Sequence, residues 1–258
     1  QDRGDTIVLI IGDFTGMIGD PSGRSDTRPL LQESDVKRNM EQYLEQASLI
    51  LDIKKCEIHY NSEWYAKKDF FKTFSKFASF ITLQRVLERD DFQKRIKDGV
   101  EISMLETFYP MLQGYDSVQV KAEVEIGGTD QKFNLLMGRK MQRRFGLPEQ
   151  DIITFDLLVG TDGVRKMSKS FGNVINLTDA PRDMFGKIMS IRDAFLFDYY
   201  RKATDKPEED ISALEQKLNN GELSYIEIKK DLAFEIVALY HSDKKAVDAR
   251  EYFEKTFQ

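Results

Sequence analysis

This sequence of 258 residues contains one cysteine, two histidines and one tryptophan. A single cysteine, Cys56, cannot form an internal disulfide, which favours a reducing compartment such as the cytoplasm. His59 and His241 lie far apart in the sequence, so we expect no zinc site built on such ligands. These scarcities exclude a small disulfide-stabilised secreted domain and argue against a zinc enzyme.

Long hydrophobic runs are also lacking. The longest, Thr6–Gly12, has the length of a buried strand and falls well short of the roughly 18 residues of a membrane span. The hydrophobic content of 41% and charged content of 32% are typical of a soluble globular protein with no membrane partner. A net charge of −6 argues against a broadly cationic nucleic-acid binder but leaves room for a local basic patch.

The N-terminal residues Gln1–Asp5 include neither an initiator methionine nor a signal peptide. The first strand pattern comes directly after them. We therefore expect the chain to be a fragment that lacks upstream residues.

The run Thr6–Ile11 is β-branched and ends at a glycine, which predicts a strand of a parallel sheet buried on both faces. The next loop, Gly12–Arg24, contains four glycines, and glycine lets a backbone approach a ligand closely. The loop matches neither the Rossmann glycine fingerprint nor the P-loop pattern. From its spacing alone, a phosphate cradle and a structural turn both stay open.

The next segments alternate between helix and strand patterns. Residues 33–51 carry apolar side chains at helical intervals and predict an amphipathic helix. Cys56–Tyr60 predicts a second strand, with Asn61-Ser62 as the cap of the helical segment after it. Residues 64–97 are helical in pattern and rich in charge, and Asp90-Asp91 predicts a helix start within them.

The segment Glu106–Asp116 contains Pro110, and because proline is tolerated near a helix N-terminus we expect the helix to begin close to it. At about 100° per residue, Tyr109, Gln113 and Asp116 fall on one narrow stripe of that helix. A phenol, an amide and a carboxylate therefore point the same way. Such a stripe is more often solvated than functional, but its aromatic and apolar neighbours favour a binding role here.

Val124–Ile126 predicts a strand that enters Gly127-Gly128, after which Thr129 or Asp130 is placed to cap a helix that runs to about Arg144. A strand–Gly-Gly–helix unit is the usual place for a nucleotide on an open α/β sheet. The basic residues at the end of this helix suit the helix dipole, so they need no functional explanation.

A further strand, Ile152–Phe155, leads to the loop Lys166–Ser170. Two lysines and two serines suit the stabilisation of charge on phosphates, although such a pentapeptide alone is more typical of an ordinary surface loop. From about residue 180 the pattern is helical throughout. We predict an α/β protein: a Rossmann-like catalytic domain with a parallel sheet over residues 1–175, a helical insertion at about 62–105, and an all-helical domain over 176–258.

Taken together, these motifs resemble the bacterial-type tyrosyl-tRNA synthetases, which are class I aminoacyl-tRNA synthetases. The resemblance covers essentially the whole chain, and the order and approximate spacing of the motifs match. A lysine loop alone is common to many class I synthetases, whereas its combination with Gly-Asp-Pro-Ser-Gly and Gly-Gly-Thr-Asp-Gln is specific for the tyrosine enzyme. The matching segments are the loop Gly12–Arg24, the Tyr109/Gln113/Asp116 stripe, the turn Gly127–Gln131 and the loop Lys166–Ser170.

The resemblance implies a tyrosine–tRNA ligase, which joins L-tyrosine to ATP and then moves the tyrosyl group to tRNA(Tyr). It assigns the substrate ammonium to Asp20, Tyr109 and Gln113. It also places Asp116 at the phenolic hydroxyl and Gln131 near the carboxyl group. Such an enzyme acts mainly by positioning the reactants and stabilising charge on the phosphates.

The resemblance also implies a site for ATP with Mg²⁺. It places Asp130 at the ribose, Thr15 near the nucleotide, and the lysine loop at the departing pyrophosphate. The implied nucleotide-binding residues are Thr15, Gly127, Gly128, Asp130 and Lys169, and the implied catalytic residues are Lys166, Lys169, Ser168, Ser170, Arg24 and Arg28.

Relatives of this kind are homodimers, and we expect the contact between about Ser79 and Gln119. The helical domain is expected on the anticodon side of the tRNA, and the enzyme in the cytoplasm.

The sequence departs from the family pattern in three ways. The His-x-Gly-His motif that contacts ATP phosphates is absent, as is the C-terminal RNA-binding domain of many relatives. Glu125 stands where some relatives have glutamine. We therefore expect this polypeptide alone to be inactive or severely impaired.

Two alternatives stay open. A tryptophanyl-tRNA synthetase shares the fold and a lysine loop, although Asp116 beside Tyr109 favours a phenol over an indole. A non-catalytic synthetase relative that binds RNA or protein is the other, and the retention of Asp20, Gln113 and Asp130 argues against it.

Overall fold

A computed structural model describes residues 1–22, 33–168 and 171–257, and of residues 33–38 and 41 it describes the backbone alone. The chain divides into two compact units between Asp156 and Leu157. This division lies before the predicted boundary of the domains 1–175 and 176–258, because the intervening loop packs with the helices that come after it. Leu158, Met167 and Ile175 all contact the apolar core of the second unit.

The four predicted strands are confirmed, at slightly different bounds. They are β1 (Val8–Ile11), β2 (Glu57–Tyr60), β3 (Val124–Gly128) and β4 (Asp151–Phe155). Among the described residues, β1 pairs with β2 and β3 with β4, each pair parallel and in its own two-stranded sheet. The prediction that β1 is buried on both faces is wrong for most of the strand, since Ile11 is the one buried residue of its four.

Helices surround these strands in the first unit. They are α1 (Asp13–Ile18), α2 (Glu33–Ala47), α3 (Ser62–Tyr65), α4 (Phe70–Ala78), α5 (Leu83–Leu87), α6 (Asp90–Lys97), α7 (Met104–Val120) and α8 (Lys132–Phe145). The charge-rich segment predicted as helical is thus a series of short helices. Its predicted start at Asp90 is confirmed as the first residue of α6.

The start of α7 corrects the expectation drawn from Pro110. The helix begins at Met104, and Pro110 lies inside it. Ser103 and Glu106 form a capping box, which satisfies free amides of the first turn and fixes the helix start there. Glu106 also pairs with the buried Arg95 at 3.0 Å, which ties the first turn of α7 to α6.

Two predicted helix caps are also wrong. Asn61 makes no capping bond to α3; instead its Oδ1 accepts from the backbone amide of Phe14 at 3.0 Å. Asp13 takes the capping role, because its carboxylate accepts from the Ser62 amide at 2.9 Å. Between β3 and α8 a 3₁₀ turn, Thr129–Gln131, intervenes, and no side chain caps α8.

An aromatic cluster forms the core beside α7. Its fully buried members are Trp64, Tyr65, Phe77, Met111, Leu112, Tyr115, Val118, Met137 and Met141. Residues from α3, α4, α7 and α8 thus share one apolar interior, which holds the polar face of α7 in a fixed place.

The second unit is helical from Pro181 onward. Its helices are α9 (Pro181–Met189), α10 (Leu196–Ala203), α11 (Glu208–Asn219), α12 (Tyr225–Tyr240) and α13 (Asp243–Phe257). Pro181 stands at the start of α9, where its missing amide costs nothing. None of the helices in the described ranges is long and apolar enough to cross a membrane.

Candidate active site

A hydrogen-bonded network joins three of the predicted substrate-binding residues. Gln131 Nε2 donates to Asp20 Oδ2 at 2.8 Å, which links the 3₁₀ turn after β3 to the loop after α1. Asn134 Nδ2 lies 2.9 Å from Gln113 Oε1 and 3.0 Å from Gln131 Oε1. Asp20, Gln113 and Gln131 therefore come together, as the resemblance implies, and Tyr109 lies half-buried on the same helix as Gln113.

A buried arginine donates hydrogen bonds to this network. Arg89 donates to Asn134 Oδ1 at 2.6 Å and to Ser22 Oγ at 2.9 Å. Its charge is balanced by Asp91, which accepts two bonds from the guanidinium at 2.8 and 3.0 Å. A bidentate pair of this kind fixes geometry as well as charge. Arg89 thus holds the side chain that orients both glutamines.

Asp116 lies in a second polar cluster and is only 7% exposed. Its Oδ1 accepts from Trp64 Nε1 at 2.8 Å and lies 2.7 Å from the hydroxyl oxygen of Tyr65. Its Oδ2 accepts from Asn61 Nδ2 at 3.3 Å. Burial raises the pKa of Asp116 to about 7, although the bonds from Tyr65, Trp64 and Asn61 act in the opposite direction.

Thr15 is linked to this cluster through Asn61. The amide of Asn61 donates to Thr15 Oγ1 at 2.8 Å, and both side chains are buried. Thr15 lies on α1, directly after β1. The side-chain amide of Asn61 therefore connects the glycine loop to Asp116 on the α7 stripe.

Glu125 is a second carboxyl group close to Asp116. Its Oε2 accepts from Ser117 Oγ at 2.8 Å and from Gln150 Nε2. Burial raises the pKa of Glu125, while the bonds from Ser117, Gln150 and Gln113 lower it. The negative charge of Glu125 in turn contributes to the raised pKa of Asp116.

The predicted nucleotide turn lies at the carboxyl end of β3. Gly127 and Gly128 are the last residues of that strand, and Asp130 comes next in the 3₁₀ turn. Asp130, Thr129 and Lys132 line a cavity of about 630 Å³, and Arg89 and Lys94 line it as well. The end of a parallel strand is where an open α/β sheet binds its ligand.

The lysine loop belongs to the second unit, where Asn173 holds it. Asn173 is 2% exposed; its Nδ2 donates to Asp162 Oδ2 at 3.0 Å and to the Lys166 carbonyl at 3.1 Å. Its Oδ1 accepts from the Ser168 amide at 2.9 Å. One side chain therefore connects both arms of the loop, and Lys166 and Ser168 are both half-buried. Four predicted residues lie outside the described part of the chain: Lys169, Ser170, Arg24 and Arg28.

Sequence reasoning missed several residues that hold the site together. Asn61 was interpreted as a helix cap, and Arg89 lies in a charge-rich segment with no pattern that distinguishes it. Asn134 comes one helical turn after Gln131, and that spacing was the available signal. The full set of missed residues is Ser22, Asn61, Trp64, Tyr65, Arg89, Asn134 and Asn173.

Comparison with solved structures defines the class of fold. A C-terminally truncated mitochondrial tyrosyl-tRNA synthetase of Aspergillus nidulans matches with a TM-score of 0.75 at 21% identity, over 98% of this chain and 77% of that one. A tryptophanyl-tRNA synthetase of Giardia lamblia matches with a TM-score of 0.69 at 17% identity, over 95% of this chain and 70% of that one. The fold is that of the class I synthetases, a Rossmann-like α/β architecture with parallel strands.

Sequence comparison narrows this class to a family. The family model described as tRNA synthetases class I (W and Y) matches residues 1–258, so the chain belongs to that family. A tyrosine–tRNA ligase of Thermotoga maritima is 48% identical over all 258 residues, and one of Geobacter sulfurreducens is likewise 48% identical. The chain spans 64% of the length of each of these two relatives.

Proposed function

We propose that this protein is a tyrosine–tRNA ligase, which activates L-tyrosine with ATP and transfers the tyrosyl group to tRNA(Tyr). The observation that carries the proposal is the buried carboxyl group of Asp116, which lies among hydrogen-bond donors at the foot of the α7 stripe. A buried polar group that a substrate hydroxyl satisfies rejects an analogue without that hydroxyl; the tyrosine enzyme is itself the standard example of this effect. The 48% identity to proteins named tyrosine–tRNA ligase supports the same substrate.

In this proposal the hydrogen-bonded network of Asp20, Gln113 and Gln131 binds the ammonium and carboxyl groups of the amino acid. The carboxylate of Asp20, with Tyr109 and Gln113, holds the ammonium, and Gln131 lies near the substrate carboxyl group. The bonds from Asn134 to Gln113 and Gln131 support these roles, because they fix both amides before substrate arrives.

ATP is proposed as the second substrate, bound as its magnesium complex, so that the ion arrives with the phosphates. Asp130 would bind the ribose, Thr15 and Gly127-Gly128 the nucleotide, and the lysine loop the departing pyrophosphate. Cations placed where charge develops lower the barrier to phosphate departure. The proposed catalytic residues are Lys166, Ser168, Lys169, Ser170, Arg24 and Arg28.

We further propose that the protein is a cytoplasmic homodimer whose helical unit contacts the anticodon side of tRNA(Tyr). The contact between subunits would use the region 79–119. Apolar side chains are exposed there on three helices: Leu83 at 50%, Ile96 at 51% and Met104 at 62%.

The proposal is tested by pyrophosphate exchange on the full-length protein with tyrosine, tryptophan or phenylalanine as the amino acid. We expect exchange with tyrosine and at least about 100-fold less with the other two, in keeping with hydroxyl readout. Exchange driven by tryptophan would assign the protein to the other branch of its family. If the protein is folded but shows no exchange with any of the three amino acids, it is better explained as a non-catalytic relative.

A further inference from the structure

The two oxygens of the Asp116 carboxyl group have different surroundings. Oδ1 has two short contacts, with Trp64 at 2.8 Å and with Tyr65 at 2.7 Å. Among the residues that the structure describes, Oδ2 has one long bond of 3.3 Å, from Asn61, whose amide makes a shorter bond of 2.8 Å to Thr15. Because a carboxylate oxygen can accept two hydrogen bonds, Oδ2 retains capacity for a further donor, whereas Trp64 and Tyr65 occupy both positions around Oδ1.

The side chain of Tyr65 reaches Asp116 from the apolar core. It is 2% exposed, and its ring lies 5.0 Å from that of Phe14 and 5.2 Å from that of Phe70, centroid to centroid. Its hydroxyl oxygen is also 2.5 Å from the Leu112 carbonyl of α7. Contacts with two aromatic rings and a backbone partner fix this hydroxyl, so it acts as a rigid support for Oδ1.

The hydroxyl of Tyr65 can serve Asp116 in both protonation states. It carries one proton and has two neighbouring acceptors, the Leu112 carbonyl and Asp116 Oδ1. When Asp116 is ionised, this proton is shared with the carboxylate. When Asp116 is neutral, its own proton can be donated to the Tyr65 oxygen while Tyr65 donates to Leu112. Oδ1 is held in either case.

We propose that Tyr65 is a positioning residue that, with Trp64, holds Oδ1 of Asp116 and thereby reserves Oδ2 as the acceptor for the hydroxyl of a phenolic amino acid. The proposal rests on the proposed function, in which Asp116 reads that hydroxyl. It adds a residue of the aromatic core to the determinants of substrate specificity.

The first test compares Tyr65→Phe with Tyr115→Phe in the full-length protein. Tyr115 belongs to the same cluster, with its ring 6.2 Å from that of Tyr65, but Asp116 receives no bond from it. Calorimetry should show tyrosine binding about tenfold weaker in Tyr65→Phe, phenylalanine binding unchanged, and wild-type values for both in Tyr115→Phe, since one hydrogen bond to a charged group is lost.

The second test uses fluorescence, because Trp64 is the only tryptophan of this chain and donates directly to Asp116. Its emission should titrate with Asp116. Since the bond from Tyr65 lowers the pKa of Asp116, Tyr65→Phe should move the midpoint to higher pH, whereas Tyr115→Phe should not. In Trp64→Phe, amino-acid binding should show a reduced preference for tyrosine over phenylalanine, as in Tyr65→Phe.

The outcomes separate this inference from the proposed function. Wild-type protein that binds tyrosine no better than phenylalanine would overturn the proposed function, and the inference with it. Wild-type discrimination that Tyr65→Phe leaves intact, with an unmoved fluorescence midpoint, would overturn the inference alone and reduce Tyr65 to a packing residue.

Discussion

At the scale of single residues, the raised pKa of Asp116 gives two pH dependences of opposite sign. Burial brings that pKa to about 7, against an ordinary value near 3.8. We expect tyrosine binding to strengthen between roughly pH 6 and pH 8, as the carboxylate that accepts the phenol forms. A calorimetric series in L-tyrosine at fixed ionic strength measures this, and binding that weakens over the same range would contradict it.

Stability should change in the other direction. The folded-state pKa lies above the unfolded one, so the contribution of Asp116 to stability is complete below about pH 4 and is lost as pH rises through 7. The loss amounts to at most about 4 kcal/mol. Glu125 has a raised pKa and adds a loss of the same sign. Asp116→Asn keeps the size of the side chain but removes the titration. Its free energy of unfolding in urea should therefore fall less steeply with rising pH than that of wild type.

Asn173 provides a residue-scale prediction for the lysine loop. Its replacement by alanine leaves the Ser168 amide and the Lys166 carbonyl without the partners they have now, at a cost of about 1–3 kcal/mol to the ordered loop. We expect Asn173→Ala to slow tyrosyl-adenylate formation at least about tenfold, because the proposed role of the loop requires it to be ordered when the phosphate charge develops.

Tyrosine binding should be unchanged in that variant, since the residues proposed for the amino acid belong to the first unit. Stopped-flow activation and equilibrium binding separate the two effects. Asn220→Ala, which removes an exposed side-chain amide that donates to Glu222, is the matched control. Equal losses of binding and activation would argue against the role given to the loop.

The residues proposed to bind the substrates were predicted from the sequence, and those that position them were not. Helical spacing, which is a local property, placed Gln113 and Asp116 on one stripe, and the family resemblance assigned their proposed roles. Asn61 failed as a prediction because an asparagine before a helix usually caps it, whereas here Asp13 supplies that bond and frees the amide. The partners of the Asn61 side chain, Thr15, Phe14 and Asp116, lie 46, 47 and 55 residues away, and no local pattern encodes them.

At the scale of elements, the contact of α7 with α8 depends on close approach at Gly138. A Cβ there would lie 2.6 Å from Gln150 Nε2 and 2.6 Å from Ser117 Oγ, the two side chains that hold Glu125. We predict that Gly138→Ala destabilises the first unit by about 1–3 kcal/mol through overpacking. Trp64 fluorescence during urea unfolding reports on this unit, because the chain has no other tryptophan.

Gly186 in α9 is the matched control. A Cβ there meets no atom within 4 Å, so Gly186→Ala should stabilise the second unit by up to about 1 kcal/mol through helix propensity. Circular dichroism measures that transition. Equal effects of the two substitutions would show that propensity, and not the approach of α7 to α8, decides the response.

Pro110 shows why element boundaries were harder to predict than elements. The proline rule placed the start of α7 near residue 110, but a capping box at Ser103 and the buried pair of Glu106 with Arg95 stabilise an earlier start. A buried pair of this kind depends on α6, which sequence inspection cannot place beside α7. The existence of the helix was nevertheless predicted correctly.

At the scale of the whole molecule, exposed apolar residues of α5, α6 and α7 lie in the region proposed for the contact between subunits. Met104 is the most exposed of the large apolar side chains between residues 79 and 119, at 62%. We predict that Met104→Asp converts a dimer to a monomer, since an unpaired carboxylate in an apolar contact costs several kcal/mol. Sedimentation velocity on the full-length protein measures the change.

Phe71→Asp is the control, because Phe71 is 78% exposed but lies outside the predicted contact. A variant at Met104 that stays dimeric while Phe71→Asp dissociates would move the interface to α4, and a monomeric wild type would remove the dimer altogether.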